Sequence, residues 1–485
     1  MSRYLAIFNV LGPVVMVFGL SALFPLALSH AIADGAEHAF DQAAILIFAI
    51  GAVMWLATWR FRRELTVRDG FLFVALTWTL LPALGTLPFL DYLPGLSFTD
   101  AYFEAVSGLT TSGATVLSDL DKLPPSINVW RTQLVWMGGM GVVVLAVAIL
   151  PLLGVGGSQA FKAETPGPMK DTKLTPRIAE TAKGLWLIYF VITVACILGY
   201  WAAGMTPLDA LIHGFSTMGL GGFSSHDASF GHWNSPLIEA VAIVFMLISS
   251  FNFATHFLAF RRRSLRPYRG DPEAGWVLFT MIGSVLLIAV FLQVNGVYAT
   301  FAESLRHAAF NVVSIASTTG FASVDFALWP VFAPVWMLFI SGFATSSGST
   351  GGGVKMIRGL ILTKQTFREF TRLLHPRAYV PLKVGAQTVQ NNLIFAVLAF
   401  MLVYGAVVTF MTMLLAASGL DIITAFSAVV ACINNMGPGL GQVGPSTTFA
   451  VLTDFQTWVC TITMLLGRLE LFTLLVVFTP GFWRK

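Results

Sequence analysis

The chain has 485 residues, 56% of them hydrophobic and only 11% charged, with a net charge of +4. A soluble protein carries about a quarter charged residues, so a soluble domain is excluded and an all-α polytopic membrane protein is expected. The basic excess falls on one side of the apolar segments, which makes it a topology signal and not a nucleic-acid site.

Ten apolar windows are long enough to cross a bilayer, at roughly 20 residues each. Tyr4–Leu28 and Ala43–Trp59 make an N-terminal two-helix hairpin, 1–66. Ala31-Ile32-Ala33 resembles a signal-peptidase site, but the apolar run before it exceeds the ~7–15 residues of a signal core, so a retained span is expected. Phe71–Leu90 and Val129–Leu153 bracket a first unit, 67–160. Gly184–Ala203 and Leu237–Phe260 bracket a second, 161–264. Trp276–Val294 and Trp329–Ala344 bracket a third, 265–385. Leu393–Ala417 and Trp458–Phe478 bracket a fourth, 386–485.

Lys and Arg fix the orientation. The even-numbered links carry Arg60, Arg62, Arg63 and Arg68, then Lys162, Lys170, Lys173, Arg177 and Lys183. Next come Arg261, Arg262, Arg263, Arg266 and Arg269, and finally Lys355, Arg358, Lys364, Arg368, Arg372, Arg377 and Lys383. Arg3, Arg484 and Lys485 share that side; only Lys122, Arg131 and Arg306 lie opposite. Both termini are therefore expected in the cytoplasm. Cys196, Cys432 and Cys460 show no paired spacing, and the eight histidines form no metalloprotease pattern. No catalytic signature is present.

Inside each unit a short helix runs into a glycine-bearing segment. The four read SFTDAYFEAVSGLTTSGAT from Ser97, TPLDALIHGFSTMGLGGFS from Thr206, TFAESLRHAAFNVVSIASTTGFA from Thr300 and DIITAFSAVVACINNMGPGL from Asp421. With Gly113, Gly222, Gly320 and Gly437 in register, alanine stands twelve residues earlier (Ala101, Ala210, Ala308, Ala425). A small residue stands six earlier (Ser107, Ser216, Ser314, Ala431). Ser97, Thr206 and Thr300, each followed three residues on by an acid, read as capping boxes, and Asp421 as a simple cap. The third start lies 20 residues before its glycine and the others 16, which predicts a third helix about one turn longer.

Non-helical backbone at membrane depth survives only when buried in protein or lining a wet cavity. Four such segments around one axis would offer carbonyls to a monovalent cation. Glycine permits the positive φ that turns a carbonyl inward, and the short helices would aim C-termini of about half a negative charge at the path. The residues before the glycines (Thr110-Thr111-Ser112, Gly219-Leu220-Gly221, Ser317-Thr318-Thr319, Asn434-Asn435-Met436) share no side-chain chemistry, which favours backbone ligands. Bonding of the hydroxyls to helix carbonyls is an equal alternative to ion contact. Asp91, Asp100, Glu104, Asp119, Asp121, Asp209, Asp227, Glu303, Asp325 and Asp421 lie on the outer side, as cation attractors or as solvated and capping acids.

TTSGAT, STMGLGGFS, SIASTTGFA and NNMGPGLG, with the four-unit layout, resemble the superfamily of potassium transporters comprising Trk, Ktr and plant HKT proteins. The N-terminal hairpin and a match along essentially the whole chain resemble its Trk-type membrane subunits. The resemblance implies four pseudo-symmetric helix–pore loop–helix repeats around one pore. It implies a potassium filter at Thr111, Ser112, Gly113, Leu220, Gly221, Gly222, Thr318, Thr319, Gly320, Asn435, Met436 and Gly437. Some plant relatives carry serine at the first glycine and prefer sodium; Gly113 favours potassium. The resemblance further implies uptake across a bacterial inner membrane, a homodimer among membrane lipids, and a cytosolic TrkA-type ring that carries nucleotide. K+ is the transported ion, and no organic cofactor is expected in this chain.

Gly348-Ser349-Thr350-Gly351-Gly352-Gly353-Val354-Lys355 misses the Walker A spacing, since lysine falls one position late and no strand precedes it. Each glycine costs a helix about 1 kcal/mol, so the span should break there. In the resembled family such a break is an intramembrane gating loop. Arg468 lies inside the last window, where a cation costs at least ~2.5 kcal/mol, and should face inward; the family places a basic residue beneath the filter against that loop. Pairing with Glu470 at i,i+2 is a weaker expectation. Lys355 and Arg358 serve either the gate or the topology. A proton-coupled symporter or cation antiporter is the competing function, with Glu239 and Glu470 as its candidate relays. A haem-bearing redox subunit would need paired histidines on facing spans, which His213, His256 and His307 do not supply.

Overall fold

The computed structural model describes residues 2–61, 63, 65–141, 178–385 and 387–484. Arg62, Lys162, Lys170, Lys173, Arg177 and Lys485 of the topology argument, and the end of the fourth apolar window, lie outside the described residues.

The N-terminal hairpin is α1 (Ser2–Ser21), α2 (Leu23–Ile32) and α3 (Glu37–Thr58). Small residues let α1 and α3 approach closely: a methyl on Gly12 would come within 2.8 Å of the Gly51 carbonyl oxygen. Close approach through glycine is how helices associate where lipid offers no hydrophobic drive. This hairpin packs on α4 (Val67–Gly85), which continues as α5 (Leu87–Tyr92).

Unit one then adds the short helix α6 (Phe98–Leu109) and α7 (Pro125–Gly139). Unit two runs α8 (Ile178–Ala202), short α9 (Pro207–Gly219), α10 (Pro236–Ser250) and α11 (Phe253–Arg262), followed by the small α12 (Arg266–Gly270). Unit three is α13 (Ala274–Val294), short α14 (Phe301–Ala316), α15 (Phe332–Ser341) and α16 (Met356–Leu374). A two-residue ribbon, β1 (Lys383–Val384) with β2 (Gln387–Thr388), leads to unit four: α17 (Asn391–Ala417), short α18 (Ile422–Ile433), α19 (Asp454–Arg468), α20 (Phe472–Leu475) and α21 (Pro480–Trp483).

Among the described residues six helices are long and apolar enough to cross a membrane, or eight if each of two bent pairs is one span. Their outward faces are apolar: α17 exposes Phe395 and Leu402, and α13 exposes Phe279. Three windows that read as unbroken differ in the structure. The sixth bends by 96° between α10 and α11, and the tenth by 106° after Arg468. The fourth forms a helix only to Gly139, with 142–153 outside the described residues. At the first bend another segment takes up the freed backbone groups. Ser250 O, at the end of α10, accepts from Ser346 N at 2.9 Å, and Gly348 O accepts from Phe253 N at 3.0 Å. The eighth window breaks as expected, but at Gly342, a few residues before the glycine run.

The short helices begin where the caps were placed. Ser97, Thr206, Thr300 and Asp421 accept from the amides of Asp100, Asp209, Glu303 and Thr424 at 3.1, 3.1, 3.2 and 3.0 Å. Only the third is a full reciprocal box; in the first two the acid takes the cap hydroxyl instead. The third helix has 16 residues against 12, 13 and 12, the extra turn its spacing predicts.

Candidate functional site

Each short helix ends in the same turn. The residue two before the register glycine is left-handed: Thr111, Leu220, Thr318 and Asn435 have φ of 57, 55, 62 and 51°. The glycines follow at 76, 64, 90 and 96°, a region other residues enter only under strain. The residue between them donates its N–H to the small residue six before the glycine. These bonds are Ser112 to Ser107 at 2.8 Å, Gly221 to Ser216 at 3.1 Å, Thr319 to Ser314 at 2.8 Å and Met436 to Ala431 at 2.9 Å. The sequence register at that position thus marks the carbonyl that closes the turn.

The four turns close a ring. A methyl on Gly113 would overlap the Gly221 carbonyl oxygen, one on Gly222 that of Thr319, and one on Gly320 that of Met436. A methyl on Gly437 would lie 3.0 Å from the Ser112 oxygen, back in unit one. Backbone meets backbone at all four joints, so no side chain fits between neighbouring turns. The side chain of Asn435 ties the last joint, donating to Ser112 Oγ at 2.8 Å and Met464 O at 3.0 Å.

The amides of the turns are spent on their helices, but their carbonyls are not. Among the described residues no donor reaches the backbone oxygens of Thr111, Ser112, Leu220, Gly221, Thr318, Thr319, Asn435 or Met436, or of the four register glycines. Buried carbonyls without partners are rare in proteins. The hydroxyls are otherwise engaged. Thr110 bonds Ser112 at 2.9 Å and Val106 O at 2.7 Å, while Ser317 bonds Thr319 at 2.6 Å and Ser314 O at 3.1 Å. Peptide oxygens are what remains free to act.

Residues 342–355 pack against one end of the ring and link to all four units. Gly352 N donates to Thr318 Oγ1 at 2.9 Å, and Thr350 Oγ1 to Met218 O at 3.0 Å. A methyl on Gly352 would overlap Asn434 O. The link to unit one runs through Arg468, whose Nη1 donates to Thr350 O at 3.0 Å and Thr111 Oγ1 at 3.3 Å. Its Nη2 donates to Gly139 O at 3.0 Å and also to Gly138 O. Lys355 is buried, and its ammonium donates to Gly351 O and to Ser349 Oγ, the latter at 3.3 Å. The loop is anchored at both ends by one acid, Glu273, which accepts from Ser347 N at 2.9 Å and Ile357 N at 3.0 Å. Arg358 pairs with Glu470 at 2.7 Å and also donates to Val354 O.

The sequence missed Glu273, and it misread Glu104. Glu104 is no solvent-facing attractor: it is fully buried and bonded to Arg131 Nε at 2.8 Å. Arg131 also donates to Ser224 O at 3.0 Å, and Glu104 accepts from Thr115 Oγ1 at 3.0 Å and Val116 N at 3.1 Å. The pair thus fastens the extended segments leaving turns one and two. Arg131 inside an apolar window was the signal available. Arg306 grips Glu239 at 2.7 and 2.9 Å in the same manner between units three and two. Leucine at Glu239 is expected to leave Arg306 without its carboxylate and to lower thermal stability more than the double variant Glu239→Leu/Arg306→Met, read by fluorescence melting in detergent.

At the ring's other end, burial pulls the His226 imidazole down, but the Asp209 and Asp121 carboxylates beside it outweigh that and raise it overall. Burial works against the Asp121 carboxyl as well, yet the bond to His226 holds it below the usual carboxylate range.

A family model described as TrkH, cation transport protein, matches residues 36–485. The chain is 47% identical to the Trk system potassium uptake protein TrkH of Halomonas elongata over 481 residues, 99% of each chain. It is 45% identical to the protein of that name from Escherichia coli K12, over the full length of both. The crystal structure of the potassium transporter TrkH from Vibrio parahaemolyticus superimposes with a TM-score of 0.90 at 44% identity, covering 99% of this chain and 100% of that one.

Proposed function

The chain belongs to the TrkH family of cation transport proteins, and from that membership we propose that it takes up potassium through the ring of four turns, gated by the glycine-rich loop. The observation that carries this reading is the set of peptide oxygens at the ring with no hydrogen-bond donor. A dehydrated monovalent cation supplies what they lack, and they in turn replace its hydration shell. The C-termini of α6, α9, α14 and α18 add about half a negative charge each, so cations enter and anions do not. No bond is made or broken; selectivity rests on the spacing of the ring.

Thr111, Ser112, Gly113, Leu220, Gly221, Gly222, Thr318, Thr319, Gly320, Asn435, Met436 and Gly437 form the filter in this reading. Residues 348–353 with Lys355 and Arg468 block its cytoplasmic end. Both termini lie in the cytoplasm of a bacterial inner membrane. The basic links on that face suit a cytosolic nucleotide-binding ring of the TrkA type, and two copies of the chain form the working unit. Proton-coupled symport or antiport is the second reading. Its candidate relays, Glu239 and Glu470, are both committed to arginines, which favours conduction down the ion gradient.

The test is Gly113→Ser in liposomes. Serine cannot hold the turn at φ 76° against Gly221 without shifting the ring. The sodium-to-potassium permeability ratio is expected to rise roughly tenfold, the effect of about 1.4 kcal/mol. An unchanged ratio with normal potassium flux would remove the turn from the filter.

A further inference from the structure

Two histidines and an aspartate from different units meet beside the ring, at the end opposite the loop. Asp121 belongs to the segment after turn one; His226 and His232 follow turn two. One ligand atom from each lies within 4.8 Å of the others. The two imidazoles stack with centroids 3.6 Å apart and planes 8° from parallel, so the exposed His232 ring turns out of the stack for both rings to face one ion. His226 Nδ1 meets Asp121 Oδ1, while its Nε2 lies 3.4 Å from Asp209 Oδ1 and makes no hydrogen bond although buried. The two segments are held together by backbone N–H groups donating to carboxylates, Leu120 N to Asp227 Oδ1 at 3.2 Å and Asp227 N to Asp121 Oδ2 at 3.3 Å.

We propose that Asp121, His226 and His232 bind one divalent transition-metal ion of the zinc class at the outer mouth of the ring. Two imidazole nitrogens and one carboxylate oxygen suit zinc, whereas magnesium and calcium take oxygen-rich sites. Three protein ligands leave a fourth position for water. Asp209 fits the outer carboxylate that orients a metal-bound imidazole through its second nitrogen. His232 and Asp121 are exposed, so an ion reaches the site from solvent. Once bound, it ties the outer segments of units one and two together and sets positive charge at the entry. Potassium flux falls as a result, a consequence that rests on the pore reading above, whereas the binding does not.

The experiment titrates the purified full-length protein with Zn2+ by calorimetry and with Co2+ by absorption. One ion per chain is expected, with affinity at least tenfold weaker in His232→Ala and in Asp121→Asn; His232 is exposed, so its removal spares the core. Absence of binding to the wild type, or equal binding by His232→Ala, overturns the site. In a planar bilayer, Zn2+ on one side alone is expected to lower wild-type potassium current, with recovery on chelation and little effect on His232→Ala. Current indifferent to bound Zn2+ overturns the flux consequence. Metal binding by a protein that passes no potassium under any condition would defeat the pore reading and leave the site standing.

Discussion

Replacing Arg131 with methionine is expected to cost the fold about 3–5 kcal/mol, the range for breaking a buried ion pair by removing one partner. Glu104 would be left fully buried without its guanidinium, and Ser224 O and the Asn128 amide would each lose a donor. The extended segments leaving turns one and two are joined through this arginine, so the damage reaches the ring as well as the melting temperature. The double variant Glu104→Gln/Arg131→Met removes both charges and is expected to recover much of the loss. Melting followed by tryptophan fluorescence in detergent, with gel filtration for dispersity, distinguishes the two. A single variant as stable as the wild type would show that the pair does not hold the ring.

The second large effect concerns the loop. Arg468→Gln removes charged hydrogen bonds to Thr350 O, Thr111 Oγ1 and Gly139 O, each worth about 1.5–3 kcal/mol. Losing one such bond shifts the balance of closed and open forms by roughly ten- to a hundredfold, and basal rubidium flux without any partner should rise accordingly. Gly352→Ala attacks the same contact sterically, since its methyl cannot share space with Asn434 O. Deleting Gly351–Gly353 removes the obstruction altogether and is expected to give the highest basal flux of the three. Lower flux from all three variants, with normal folding, would assign the loop a conducting role instead of a blocking one.

Most of the ring was legible in the sequence because its grammar is local. An alanine, a small residue and a glycine at fixed intervals, with a cap 16 or 20 residues before the glycine, specify one helix and one turn; the caps, the small residues and the glycines fall where a backbone bond or a positive φ needs them. Residues 348–353 were legible for the same reason, as a run no helix tolerates. Contacts between units were not legible. Nothing near Glu273 in the chain says that it will hold Ser347 and Ile357, some eighty residues away. Glu104 and Asp100 look alike as acids on one short helix, yet one is fully buried while the other, half-buried, accepts from the Ser97 cap hydroxyl, a difference set by the partner that α7 brings. The bends after Ser250 and Arg468 escaped because each window is apolar enough overall to read as one span, although Ser249, Ser250 and Asn252, and Gly467, Arg468 and Glu470, stand at the breaks; at the first, hydrogen bonds from residues 346–348 take up the freed groups.

A single polypeptide closing four turns into one ring has a genetic consequence. In an assembly of identical subunits every codon change is imposed four times, at symmetric places. Here a change at Leu220 leaves Thr111, Thr318 and Asn435 as they were. Drift can therefore alter the ring a quarter at a time, and the unlike side chains now standing at those four equivalent places are the kind of record such stepwise history leaves.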